Sequence, residues 1–306
     1  MTETVLHTKG LTKRYGSHTA VDRAELTVEK GQIYGLVGRN GAGKTTIIRM
    51  VTGQTIPTAG EISLFGAAGK ELMKVRVRTG VMVETPSFYP YLTARQNLEY
   101  YRIQRGIPGK GTVDQALEEV DLADTGKKTF KNFSLGMKQR LGLALALMNR
   151  PDFLLLDEPI NGLDPEGIVE FRNLLLKLNR ERQTTILISS HILPELANLA
   201  TCYGFIDNGV MLEQITARAL EEKCRACIEI QVEDPSAAAL ILERQLGTRD
   251  YEVLPGGVLR LYSFLDQPQT VARTLVEGGA SLRSIESRGA NLEDYFLSMI
   301  GGVRHA

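Results

Sequence analysis

Two kinds of apolar pattern divide the chain near residue 215. Upstream, short unbroken apolar runs alternate with stretches of helical spacing. Residues 32–37, 151–156 and 185–190 are such runs. A run of this length without alternation predicts a strand buried on both faces, as in a parallel sheet. Residues 44–51 read as a helix directly after the first run. Residues 135–149 read as an amphipathic helix behind Ser134, a good N-cap. Strands alternating with helices predict an α/β core of mostly parallel strands, with an antiparallel edge from the N-terminal strands. Residues 87–150 read as a helical insertion between 1–86 and 151–215.

Downstream the pattern shortens. Residues 227–232 alternate as a strand, and 235–246 form an amphipathic helix opened by Pro235. Residues 251–254 and 258–262 flank Pro255-Gly256-Gly257, a hairpin turn signal. Residues 267–277 read as a helix, 281–287 as a strand, and 291–296 as the capped start of a last helix. The order βαββαβ predicts a small α+β, ferredoxin-like domain over 216–306. No motif there carries chemistry. Regulation, dimer support and a passive stabilising cap stand as its possible roles.

The upstream runs end in chemistry. Gly38-Arg39-Asn40-Gly41-Ala42-Gly43-Lys44-Thr45 fits G-x-x-x-x-G-K-[ST], the nucleotide-binding P-loop, with a strand before it and a helix after it. The glycines let backbone N–H groups converge on phosphate oxygens, and the helix aims its positive end at the same place. Lys44 is expected to reach the β- and γ-phosphates, and the Thr45 hydroxyl to ligate Mg²⁺. The second run ends in Asp157-Glu158-Pro159. Two carboxylates at the carboxyl end of a buried strand are costly unless they serve a cation or a proton. Asp157 is expected to hold Mg²⁺ through water, and Glu158 to polarise the attacking water.

Taken in order, these motifs resemble the ATPase subunit of an ABC transporter. The P-loop is followed by a serine–glycine signature at Phe133-Ser134-Leu135-Gly136-Met137, the strand ending in Asp157, Asn161-Gly162-Leu163-Asp164 as a D-loop, and His191 after the third run. Tyr15 matches the aromatic residue that stacks on adenine. The resemblance covers residues 3–215. It implies ATP and Mg²⁺ as ligands, with Gly38, Asn40, Gly41, Ala42, Gly43, Lys44, Thr45 and Thr46 cradling the nucleotide. It implies that Ser134 and Gly136 of one chain close over ATP held by a second chain, that Asp164 lies at that dimer interface, and that His191 meets the γ-phosphate. Glu84 stands where the family usually carries a glutamine that senses Mg²⁺, and it becomes a candidate metal ligand. Glu84 and the altered signature both resemble the bacitracin and lantibiotic-immunity branch of exporters. So does the aromatic segment 87–94, in which Phe88, Tyr89 and Tyr91 are expected at a groove edge that receives a helix from a membrane subunit.

Composition narrows the partners. Lys+Arg and Asp+Glu both number 36 in 306 residues, so no bulk basic surface points to nucleic acid. No stretch approaches the roughly 20 apolar residues that span a bilayer, so membrane passage needs separate permease chains. No apolar leader stands near Met1, which places the chain on the cytoplasmic side, peripheral on the inner face of the membrane. Cys224 and Cys227 form C-x-x-C without the second pair a zinc site needs, so reduced thiols are expected. The reading is an ATP-hydrolysing exporter subunit, a homodimer that powers separate transmembrane chains, with antimicrobial peptides or drugs as cargo. The alternatives are a soluble ABC ATPase acting on DNA or ribosomes, and a nucleotide-binding scaffold without turnover. A single P-loop and the short stretch between it and the signature speak against the first; Glu158 and His191 speak against the second.

Overall fold

In a computed structural model, residues 3–83, 87–109, 111–288 and 295 are described, and the chain divides into two units, Met1–Ala217 and Arg218–Ala306. The first unit opens with β1 (Thr4–Tyr15), β2 (His18–Glu29), β3 (Ile33–Val37), α1 (Lys44–Thr52), β4 (Ala59–Leu64) and β5 (Ala67–Ala68). There follow α2 (Leu72–Val75), β6 (Thr79–Met82), α3 (Ala94–Gln104), α4 (Thr112–Glu119) and α5 (Leu135–Leu147). The core then resumes with β7 (Phe153–Asp157), α6 (Pro165–Arg182), β8 (Thr185–Ser190), α7 (Leu193–Ala197), β9 (Cys202–Asp207) and β10 (Val210–Thr216).

The three apolar runs become β3, β7 and β8, and every residue of these strands is buried. They lie inside a six-stranded sheet of order β10-β9-β3-β8-β7-β6, parallel except for the β9–β10 pair. Burial on both faces is why these sequences lack alternation. The N-terminal strands do not edge this sheet, as their sequence suggested. β1 and β2, 12 residues each, instead form a separate antiparallel sheet of order β2-β1-β4-β5. Its inward side chains, among them Leu6, Leu11, Val21 and Leu26, share one core with Ile47, Ile48 and Leu36.

The insertion is helical. Thr93 and Gln96 form a reciprocal capping box at the start of α3. The fully buried Asn97 side chain holds the preceding loop by bonds to the backbone of Tyr89, Leu92 and Thr93. α5 is not the amphipathic helix expected. From Leu141 onward nearly every position is buried, so apolar residues surround it.

The second unit begins within α8 (Ala217–Lys223). It contains β11 (Cys227–Val232), α9 (Pro235–Ile241), β12 (Tyr251–Leu254), β13 (Val258–Leu261), α10 (Pro268–Glu277) and β14 (Leu282–Arg288). One π turn, Leu242–Leu246, extends α9. The four strands pair antiparallel in the order β12-β13-β11-β14. Ile228, Ile230, Leu259 and Leu261 face Ala238, Leu242, Val271 and Leu275 in one core. Glu84 and the expected last helix at 291–296, apart from residue 295, lie outside the described residues.

Candidate nucleotide site

The parallel strands end together, and the chemistry gathers at those ends. β3 lies between β9 and β8, so its last residue, Val37, delivers the glycine-rich loop to the middle of the sheet. Packing explains two glycines there. A Cβ at Gly38 would stand 2.4 Å from the Ile206 carbonyl oxygen. Gly43 has φ +107°, and its Cβ would stand 2.7 Å from the Ala20 carbonyl oxygen. Lys44 opens α1 and is only 4% exposed. Its ammonium donates to the carbonyls of Gly38 (2.7 Å) and Arg39 (3.1 Å) and pairs with Glu158 Oε1 at 3.1 Å.

Asp157 ends β7 with 6% exposure, opposite Ser189 of β8 in the ladder. The Ser189 hydroxyl donates to Asp157 Oδ1 (2.6 Å) and accepts from the Glu158 backbone N–H (3.0 Å). One serine thereby holds the Asp157 carboxylate and the Glu158 backbone. Glu158 has φ +46°, a left-handed conformation that costs about 1–3 kcal/mol in a residue with a side chain and gathers at functional sites. Its second oxygen accepts from Asn161 Nδ2 (3.2 Å) and lies 3.2 Å from His191 Nδ1. The imidazole is near enough for an ion pair when protonated but not aligned for a hydrogen bond.

The turn carrying His191 is tied at Ser190. That backbone carbonyl accepts from Gly38 N–H (3.3 Å), and the hydroxyl accepts from Ile192 N–H (2.9 Å). The same hydroxyl stands 3.1 Å from Glu195 Oε2 on α7. Burial pushes the Glu195 carboxyl above the usual range, and the Ser190 hydrogen bond opposes that shift.

A cleft of ≈ 520 Å³ is lined by Asn40, Gly41, Gly43, Lys44, Thr45, Thr46, Asp157, Glu158 and Asn161, and His191 reaches it only through its contact with Glu158. Gly38 and Ala42 lie buried beneath the loop. His18, Ala20, Leu135 and Gln139 complete the walls. Tyr15 is absent from them; it stands half exposed with the Lys13 ammonium 5.0 Å from its ring centre.

Ser134 and Gly136 do not join this site. They line a second cleft of ≈ 690 Å³ with Gly162, Leu163, Asp164 and Glu170. There the Ser134 hydroxyl caps α5 through Met137 N–H, and Asp164 caps α6 through Gly167 N–H.

A third hollow of ≈ 610 Å³ is lined by Arg76, Met82, Val83, Ser87, Tyr101, Arg105 and Ala146. The aromatic segment needs correction here. Phe88 does not present itself at a groove edge. It is 8% exposed and packs against Tyr101 and Phe130, with ring centres 5.6 and 5.2 Å away, because Asn97 turns the loop inward. Tyr89 and Tyr91 point outward, 44% and 75% exposed.

The nucleotide cleft suits Mg²⁺ in its donor chemistry. One buried carboxylate, Asp157, and one hydroxyl, Thr45, fit an ion that takes few protein ligands and completes its shell with water and phosphate. Sequence reasoning missed Ser189, Ser190 and Glu195. Their roles depend on which strand lies beside which, and no motif encodes that.

Comparison with known proteins agrees with the geometry. The ABC transporter family model matches residues 21–161. The bacitracin transport ATP-binding protein of Bacillus licheniformis is 45% identical, over 98% of this chain and 98% of its own. That of Enterococcus faecalis is 43% identical, over 98% of this chain and 97% of its own. A dimeric bacterial ABC transporter cassette of known structure is 25% identical with a TM-score of 0.62, covering 70% of this chain and 99% of the cassette. With relatives this similar along nearly its whole length, the chain belongs to the ABC transporter family as an ATP-binding, ATP-hydrolysing protein.

Proposed function

We propose that this chain is the ATPase subunit of an exporter, acting as a homodimer beneath separate transmembrane subunits on the inner face of the cell membrane. The observation that carries this reading is the separation of the two clefts. Lys44, Asp157 and Glu158 share one, whereas Ser134 and Gly136 line the other. A second copy could bring its signature cleft to the first copy's nucleotide, and the helix N-terminus at Ser134 would then face phosphate. ATP would join the chains, and loss of the γ-phosphate would release them.

Within one site, loop N–H groups and Lys44 bind the phosphates, for which Glu158 must yield the ammonium. Thr45 and Asp157 would hold Mg²⁺, with Glu84 as a further candidate, and the bound ion would supply charge neutralisation at the phosphates. Glu158 takes a proton from water as its oxygen bonds to the γ-phosphorus. The bond from that phosphorus to the bridging oxygen breaks, and its electron pair leaves with ADP. His191, 3.2 Å from Glu158, supports that geometry. Tyr15 stacks on adenine.

Residues 1–215 form the ATPase domain, with 87–150 as its helical subdomain. Residues 216–306 form a ferredoxin-like accessory domain. The hollow beside Tyr101 and Arg105 receives a helix of the permease, and Phe88 serves the subdomain core behind it. The bacitracin transport relatives support a peptide antibiotic or drug as cargo. Chemistry on DNA or ribosomes gains no support from them. Purifying the tagged chain from membranes tests the reading. A transmembrane chain should accompany it, and recovery only with ribosomes or DNA would overturn it.

A further inference from the structure

Gln139 is a buried polar side chain whose amide oxygen, Oε1, has no hydrogen-bond partner among the described residues. It lies on α5, 5% exposed, and lines the nucleotide cleft with Lys44, Glu158 and Asn161. A buried acceptor left unpaired costs stability, so its retention calls for a reason.

Two donors of the cleft, Lys44 and Asn161, are already engaged. An ammonium has three protons, and Lys44 directs its own to Gly38, Arg39 and Glu158. Asn161 Nδ2 donates to Glu158. A donor that arrives with the ligand would satisfy Gln139 Oε1. Phosphate oxygens bound to Mg²⁺ carry no proton to give. Water carries two.

We propose that the Gln139 carboxamide holds the attacking water together with Glu158. One water hydrogen points to Glu158 and the other to Gln139 Oε1, which leaves an oxygen lone pair directed at the γ-phosphorus. Gln139 exchanges no proton; only Glu158 does. This inference rests on Glu158 as the base.

The test uses the full-length purified protein with Gln139→Leu and Gln139→Met, which keep volume and remove the polar atoms. Turnover should fall about tenfold or more, as loss of a positioned contact to the reacting group does. The KM for ATP should stay within about twofold, because nucleotide contacts remain. The melting temperature should hold or rise, because a buried unpaired acceptor is gone. Native turnover in both variants would overturn the inference. A raised KM with native kcat would overturn it too, because the amide would then be binding phosphate through Nε2. Lower turnover together with a lower melting temperature in both would assign Gln139 to packing and also overturn it. Glu158→Gln serves as the control. Substantial turnover there would refute the base assignment itself, whatever Gln139 does.

Discussion

The two clefts of the first unit are built differently. In the nucleotide cleft, Lys44 and Asp157 are almost wholly buried, and each has partners that fix it. In the signature cleft, the polar groups of Ser134 and Asp164 serve their own helices, and Arg140 is neutralised by Asp121 and Glu170. The first cleft holds reactive groups at strand ends. The second offers a capped helix N-terminus, with Asp121 and Glu170 turned to Arg140 and Asp164 to its own helix. The two sets of residues thus line different surfaces of one chain, and on the proposed reading a second copy brings them together.

The difference can be tested by damaging each cleft in turn. Glu158→Gln should lower turnover by about 10²–10⁴-fold, the usual worth of a positioned base, while ATP still binds. Stopped-flow nucleotide binding and phosphate release measure the two halves. Lys44→Ala removes a charge-assisted contact worth about 1.5–3 kcal/mol, so ATP affinity of the isolated chain should fall at least about tenfold. Calorimetric titration reads it, and unchanged affinity would contradict the cradle. Ser189→Ala strips a hydrogen bond from buried Asp157 and should lower stability by about 1–3 kcal/mol, seen in urea unfolding. Ser134→Ala removes a helix cap and should cost about 1 kcal/mol, the smallest effect of the four. It should leave ATP affinity of the single chain unchanged. If Ser134→Ala weakened that affinity as much as Lys44→Ala, the two clefts would not be separate.

Much of this was legible in the sequence, for physical reasons. Strands buried on both faces lose alternation, so β3, β7 and β8 could be read directly. Their ends carried recognisable chemistry because phosphate binding demands particular residues in a particular order. Pairing across the chain was not legible. Ser189 beside Asp157 depends on β7 lying next to β8. The separate sheet of β1 and β2 depends on which core their inward faces meet. Phe88 looked outward among exposed aromatics, but the buried Asn97 turns its loop into the subdomain. Phe88→Ala should therefore cost about 3–5 kcal/mol of stability in thermal unfolding. Tyr91→Ala, 75% exposed, should stay within about 0.5 kcal/mol.

The central claim is that a working site takes its nucleotide cleft from one chain and its signature cleft from another. Mixing two inactive variants tests it most directly. Lys44→Ala keeps an intact signature, and Gly136→Asp, which puts a like charge against phosphate, keeps an intact nucleotide cleft. Each alone should be inactive. Mixed in equal amounts, the chains form some heterodimers in which one of the two sites combines both intact halves, so ATP hydrolysis should return to a substantial fraction of the native rate. A mixture as inactive as its components, with heterodimers verified by tag pull-down, would show that both halves must come from the same chain and would contradict the claim.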